Sequence, residues 1–229
     1  MARHTFFIAG TDTDAGKTLI ATGLLAAANQ RGLRTVAMKP VAAGCEETEQ
    51  GLRNGDALEL LEAMSEQLPY ERVNPVALQA AIAPHIAAQQ EGRRLLVSQL
   101  VGYCRGVMMQ PADLLLIEGA GGWRVPLNRN ETLAGLVREL QLPVILVVGM
   151  KLGCINHALL TAEAIARDGL SLAGWVANCR DPDMVVFEEN LATLRDLIHA
   201  PCLGVVPHLE SPDDASVAAH LNIELVISP

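Results

Sequence analysis

The stretch Gly10-Thr11-Asp12-Thr13-Asp14-Ala15-Gly16-Lys17-Thr18 decides the fold. It follows the apolar run Thr5 to Ala9 and precedes an amphipathic stretch from Leu19 to Arg31, so the order is strand, glycine loop, helix. In such a loop the backbone N–H groups and the positive end of the helix dipole surround a phosphate. The lysine reaches the outer phosphates, and the hydroxyl after it takes a magnesium ion. The usual pattern is G-x-x-x-x-G-K-[ST], whereas five residues separate Gly10 from Gly16. An ordinary turn with a surface lysine is the competing reading, but G-K-T falls at the strand-to-helix junction that phosphate binding requires. A related variant carries a second lysine five positions before the first. Asp12 stands there, which argues against the ATPase switches that insert that lysine into a partner's active site.

Outward from the loop, the helix has Ile20, Leu24, Ala27 and Ala28 on one face and stops at Gly32. A second strand, Arg34 to Met38, delivers Lys39-Pro40-Val41-Ala42-Ala43-Gly44 to the carboxyl edge of the sheet, where open α/β folds bind ligands. Lys39 there suits a second anion, or is a solvated strand-end lysine. Asn54 caps a helix from Ala57 to Met64, with Asp56 in its first turn. Residues 67–84 read as an irregular excursion, followed by helices over 85–90 and 93–109. Within the stretch Asp113 to Trp123, Leu114 to Ile117 is a continuous apolar run that suits a strand buried on both faces. It ends in Glu118 and the turn Gly119-Ala120-Gly121-Gly122-Trp123, the place of a magnesium-holding acid in phosphate-loop proteins. A helix over 131–141 leads to the buried strand 143–149. Lys151 to His157 then enters a helix with Ile155, Leu159, Ala162 and Ala166 on one face and Gly169 at its end. Strand 172–178, helix 184–198 and strand 202–206 follow; beyond Glu210 come a short helix and the apolar run 223–227.

This alternation predicts a P-loop NTPase-like, doubly wound, mostly parallel sheet of about seven strands with helices on both faces, in a single domain over residues 1–229. Half of the residues are hydrophobic but only 3% are aromatic, so the core is aliphatic. The net charge of -9 leaves no broad basic surface for nucleic acid or anionic membrane, and a ligand's negative charge must be met locally. Five widely spaced cysteines without a C-x-x-C pair read as reduced thiols of a cytoplasmic protein. The longest apolar run is too short to span a bilayer, and the N-terminus lacks a signal-peptide layout.

Taken together, six pieces resemble the dethiobiotin synthetases: the G-T-D-T-x-x-G-K-T loop, K-P-V-A-x-G at Lys39, N-x-D at Asn54, E-G-A-G-G-W at Glu118, V-G-x-K-L-G-C-I-N-H at Val148, and G-W-V-A-N at Gly174. The resemblance runs from Thr5 to about Leu209 and rests on shared order and spacing. It implies that ATP and Mg2+ drive the joining of carbon dioxide to 7,8-diaminononanoate. The diamine's carbamate attacks the terminal phosphorus of ATP, and the second amine then displaces phosphate to close a cyclic urea. By position, Thr13, Asp14, Ala15, Gly16, Lys17 and Thr18 would hold the phosphates with Gly119, Ala120 and Gly121. Thr18, Asp56 and Glu118 would surround the metal, and Lys17 and Lys39 would be catalytic. Asn178 would reach the adenine edge, although the residue alone reads as a turn asparagine, and Pro207, His208 and Leu209 would line the base. Thr11, Lys39 and Ala43 would touch the diamine. Gly153, Cys154, Ile155 and Asn156 would face the substrate carboxylate of the other subunit in a homodimer. Ala43 departs from the family's usual hydroxyl residue, and a lost neutral hydrogen bond costs roughly 0.5 to 1.5 kcal/mol. Asp14 stands where glutamate is common. Two other readings are a related amide-forming ligase, which would need glutamine or another amine, and a nucleotide switch binding a protein partner, which would hydrolyse ATP slowly without diamine.

Overall fold

The computed structural model describes residues 3–227. In chain order the elements are β1 (His4–Gly10), a 3-10 turn (Thr13–Ala15), α1 (Lys17–Asn29), β2 (Thr35–Met38), β3 (Val41–Ala42), β4 (Glu46–Thr48), β5 (Gly51–Arg53) and α2 (Gly55–Ala63). Next come α3 (Tyr70–Val73), β6 (Val76–Ala77), α4 (Pro84–Gln90), α5 (Val97–Met108), β7 (Leu114–Glu118), α6 (Leu133–Leu140) and β8 (Val144–Met150). The chain continues through α7 (Cys154–Arg167), β9 (Leu172–Cys179), α8 (Phe187–Leu197), β10 (Cys202–Val206), α9 (Asp214–Ala218) and α10 (Glu224–Ile227). Six strands form one parallel sheet in the order β10-β9-β8-β1-β7-β2. Two small pairs, β3 with β6 and β4 with β5, stand apart from it.

The sheet has six strands, not about seven, because the last apolar run is taken up by Ile223 and the single helical turn α10. Right-handed crossovers put α1 on one face and α6, α7 and α8 on the other, because the chain leaves β1 in one direction and returns across it from β7 to β8. That reversal opens a crevice at the carboxyl end of β1, which is where Gly10 to Thr18 lies. Strands β7 and β8 are buried at every position, as continuous apolar runs in a two-sided parallel sheet require.

Some element boundaries and one helix face differ from the sequence reading. Helix α5 starts at Val97 instead of Arg93, since Arg93 is held in the connector by its N–H on Ala88 O and its guanidinium on Ala77 O. The excursion over 67–84 contains α3 and β6. Helix α1 ends at Asn29, two residues early. On α7 the buried stripe is Cys154, Ala158, Thr161 and Ile165, one residue before the stripe expected from Ile155, Leu159, Ala162 and Ala166. Both stripes have helical spacing, so periodicity alone does not choose between them. No helix of the described residues is long and apolar enough to cross a membrane, and the five cysteines are free thiols.

At the opposite edge of the sheet from the crevice, Asp113 accepts from the Arg34 backbone N–H at 2.9 Å and from both ends of the Arg34 guanidinium fork at 3.1 Å. These bonds join the starts of β2 and β7. The Arg34 side chain and its N–H hold the Asp113 carboxyl down at about 2. Its folded-state value lies below the unfolded one, so the stabilisation is present above the ordinary carboxylate range and is lost as pH falls toward 2. The melting-temperature gap between wild type and Asp113→Asn should therefore be full near neutrality and should close between about pH 4 and pH 2. A gap that stays constant across that range would show that the charge of Asp113 contributes nothing.

Candidate active site

Gly16 ends the 3-10 turn in the left-handed region, with φ 88°, and begins α1. A Cβ there would overlap the amide of Asn178, so both conformation and close approach call for glycine. Asn178 is buried at the end of β9, and its Nδ2 donates to Ala15 O at 2.8 Å. It supports the phosphate loop from beneath and lines neither cavity described below.

Lys17 is only 5% exposed, and its Nζ donates to the loop's own carbonyls, Asp12 O at 3.1 Å and Thr13 O at 3.0 Å. Burial pushes its ammonium down to about 8, against the upward pull of Glu118. Lys39 is equally buried. The Pro40 segment that follows β2 turns it inward, and its Nζ lies 2.8 Å from Asp56 Oδ2 and 2.5 Å from Glu118 Oε1. It is therefore not a solvated strand-end residue. Burial alone would lower its pKa, but Glu118 and Asp56 raise it beyond the ordinary lysine value. Asp56 sits in the first turn of α2 behind the Asn54 cap. Burial raises its carboxyl, and Lys39 more than offsets this, leaving it below the usual range.

Glu118 is 1% exposed. Its Oε1 accepts from Thr18 Oγ1 at 3.0 Å and from Lys39, while its Oε2 is buried without a hydrogen-bond partner. An orphaned carboxylate oxygen beside a hydroxyl and a second carboxylate is a set of hard oxygen donors. Thr18, Asp56 and Glu118 thus fit Mg2+, which characteristically takes one or two carboxylates and completes its shell with phosphate and water.

These groups open on a cavity of about 890 Å³. Of the residues expected at the phosphates, metal and diamine, Thr13, Asp14, Gly16, Lys17, Thr18, Lys39, Ala43, Asp56, Glu118, Ala120 and Gly121 line it. Ala15 and Gly119 lie buried behind it, and Thr11 accepts from the Gly149 N–H instead. Pro207 and His208 line a second cavity of about 470 Å³, where β9 and β10 end, and Leu209 is half-buried and outside it. Gly153, Cys154, Ile155 and Asn156 line neither cavity.

Several lining residues were not picked out from sequence. Arg180 and Arg124 reach the large cavity, each one or two residues beyond a quoted motif, and Glu59 lies one helical turn after Asp56. Phe187, Glu188 and His220 wall the smaller cavity. His220 follows α9, and no local pattern announces it. Asp12, which stands where the switch ATPases carry lysine, pairs with Lys151 at 3.2 Å.

A family model described as an AAA domain matches residues 4–216. The chain is 64% identical to the ATP-dependent dethiobiotin synthetase BioD of Cellvibrio japonicus, covering 97% of each chain. It is 56% identical to the protein of that name from Marinobacter nauticus, covering all of this chain and 98% of the relative. Its fold is similar to that of the septum site-determining protein MinD of Pyrococcus horikoshii, solved with Mg-ADP, with a TM-score of 0.56 at 15% identity over 100% of this chain and 90% of that one.

Glu118→Gln keeps the size of the side chain and removes the charge that faces Thr18 and Lys39. Turnover is expected to fall by about 10- to 100-fold. The Mg2+ concentration for half-maximal rate should rise, so that excess Mg2+ recovers part of the loss. An active variant with unchanged Mg2+ dependence would remove Glu118 from the metal site.

Proposed function

The chain belongs to the family of ATP-dependent dethiobiotin synthetases, and from that premise we infer how its residues divide the reaction. It is a ligase of biotin biosynthesis that uses ATP to form dethiobiotin. The observation that carries the assignment of roles is the Lys39–Glu118–Thr18 cluster, buried beside Lys17 at the mouth of the phosphate loop. The reaction needs little covalent help from the protein, because carbamate, phosphoryl group and second amine react with one another once they are positioned and their charge is met.

The loop from Thr13 to Thr18 would hold the ATP phosphates, and Lys17 would exchange its two loop carbonyls for phosphate oxygens. Contact with phosphate would restore the proton affinity that burial takes from this lysine. Thr18, Asp56 and Glu118 would hold Mg2+, which when bound neutralises charge on the phosphate oxygens. Lys39, held between two carboxylates, would present its ammonium to the carbamate and to the phosphoryl group in transfer. Ala43 lines the cavity with a methyl group where the family usually has a hydroxyl, so the diamine would bind there with one hydrogen bond fewer. The adenine would enter the smaller cavity at Pro207 and His208. One α/β domain would carry all of this, in the cytoplasm.

The direct test is ADP release from ATP, Mg2+ and bicarbonate, with and without 7,8-diaminononanoate. Release should depend on the diamine, and dethiobiotin should appear in equal amount. Diamine-independent release would favour a switch ATPase, and dependence on glutamine a different ligase.

The enzyme would act as a homodimer whose sites are shared between chains. Support comes from α7. Its first turn, Gly153 to Asn156, is a helix start that would suit an anion and lines neither cavity, and Leu152 and Leu160 beside it are 90% and 56% exposed. Lys39→Ala and Asn156→Asp would then damage different halves of one composite site. Re-pairing two such inactive parents should restore one working site in each mixed dimer, about a quarter of wild-type activity per total site for random pairing. Mixtures shown to contain mixed dimers yet as inactive as the parents would place the carboxylate site within one chain.

A further inference from the structure

We propose that Asp168, at the far end of α7, is a positioning residue that holds the Gly119–Pro126 turn against the phosphate loop through Trp123 and Arg124. Gly119 N–H donates to Ile8 O, Leu133 N–H to Val125 O and Leu127 N–H to Glu131 O, and Pro126 bridges Thr132, so backbone bonds hold the turn's two ends. Between them, side chains fix residues 123 and 124. The Trp123 ring is 5% exposed and meets Phe7 of β1 edge to face, with ring centroids 6.1 Å apart. Its Nε1 donates to Asp168 Oδ2 at 2.8 Å. The next residue reaches the same carboxylate: Arg124 donates from Nη1 to Oδ2 at 2.6 Å and from Nη2 to Oδ1 at 3.1 Å.

Three donors from two adjacent residues thus converge on one carboxylate whose side chain is 10% exposed. Charge-assisted, forked bonds of this kind fix orientation as well as distance. Asp168 itself is fixed, because its backbone N–H closes the last turn of α7 on Ala164 O and Ile165 O.

What the clamp fixes lies against the reacting groups. A Cβ at Gly122 would sit 3.5 Å from Thr11 O and 3.7 Å from Gly10 O, and one at Gly121 3.7 Å from Thr13 Oγ1. The turn therefore runs alongside the phosphate loop with room between them for little more than one added methyl group, and Ala120, Gly121, Gly122 and Arg124 form one wall of the cavity. Asp168 does not line that cavity and acts only through its two partners. A displacement of about 1 Å at such a wall costs up to roughly 100-fold in rate.

The inference rests on the phosphate-site reading above, and the test separates the two. Steady-state dethiobiotin formation, Mg-ADP affinity and melting temperature would be measured for wild type, Asp168→Asn, Trp123→Phe and their double variant. Asp113→Asn serves as the control, since Asp113 receives the same fork from Arg34 on an edge remote from the cavity. Asp168→Asn is expected to lower kcat by about 10- to 100-fold. Trp123→Phe keeps a ring against Phe7, loses only the N–H bond to Asp168 and should lower kcat by a smaller factor. The double variant should be no slower than Asp168→Asn alone, because both changes release the same clamp. Asp113→Asn should lower the melting temperature and leave kcat and KM unchanged. Wild-type kcat and KM in Asp168→Asn, whatever its melting temperature, would overturn the proposal, as would losses that multiply in the double variant. If Asp168→Asn does not fold, Trp123→Phe decides, and wild-type kinetics in it would be equally fatal. A wild-type protein that forms no dethiobiotin would instead sink the functional reading, and Mg-ADP affinity in the same variants would still report on the clamp.

Discussion

The structure depends on keeping two lysine charges out of water beside a site built for anions. An isolated buried ammonium is costly, and it is tolerated only with partners of opposite charge. Glu118 supplies that partner, since Lys39 touches it directly and Thr18 binds the same oxygen. For Glu118 to stand there, β7 must end between β1 and the edge strand β2, which the order β10-β9-β8-β1-β7-β2 provides. For Lys39 to reach it, β2 must end beside β7, which the parallel pairing of the two strands from Thr35 with Leu114 to Met38 with Ile117 provides. The charged cluster and the strand order are thus one constraint seen at two scales.

The same logic explains why the lysines differ. Lys17 has only backbone carbonyls as near partners, so burial dominates and its proton affinity falls. Lys39 has two carboxylates, so their field dominates and its proton affinity rises. Lys17 is the group whose proton a phosphate would hold more tightly, whereas Lys39 is already held charged by its two carboxylates. A permanent cation suits transient negative charge on a carbamate and a phosphoryl group.

The fold was legible because its signals are local. Each core strand is a short apolar run, and the phosphate loop names its own strand and helix. Errors arose where tertiary contacts override periodicity. The stripe of α7 that packs is Cys154, Ala158, Thr161 and Ile165, and Arg93 is drawn out of a helix by the Ala77 carbonyl. The lining of the large cavity was legible at Gly16, Lys39, Asp56 and Glu118, where motifs fall at strand ends, whereas the Gly153 to Asn156 motif lines neither cavity. Asn178 shows the limit of a motif. It is quoted with the right strand, yet its side chain serves the loop backbone, a use that only the overlap with Gly16 makes visible. Asp168 and His220 had no signal at all, since each is brought to its partners by a crossover or a chain reversal.

The charge of the large cavity bears on how an anion enters it. Lys17, Lys39, Arg124 and Arg180 line it, and so do Asp14, Asp56, Glu59 and Glu118, four formal charges of each sign in a chain of net charge -9. Neither the cavity nor the whole protein offers a positive field extending beyond a Debye length, roughly 8 Å at physiological salt. Long-range steering therefore contributes little to capture of a nucleotide. Recognition has to come from groups that act at contact: the N–H donors of the loop, the α1 dipole, and lysines that exchange a protein partner for a phosphate oxygen. Such donors work only when the walls that carry them are held to within a fraction of an ångström. This is the physical reason a neutral cavity needs its glycine turn anchored by a buried indole and a forked arginine, whereas a strongly basic cleft can tolerate looser walls.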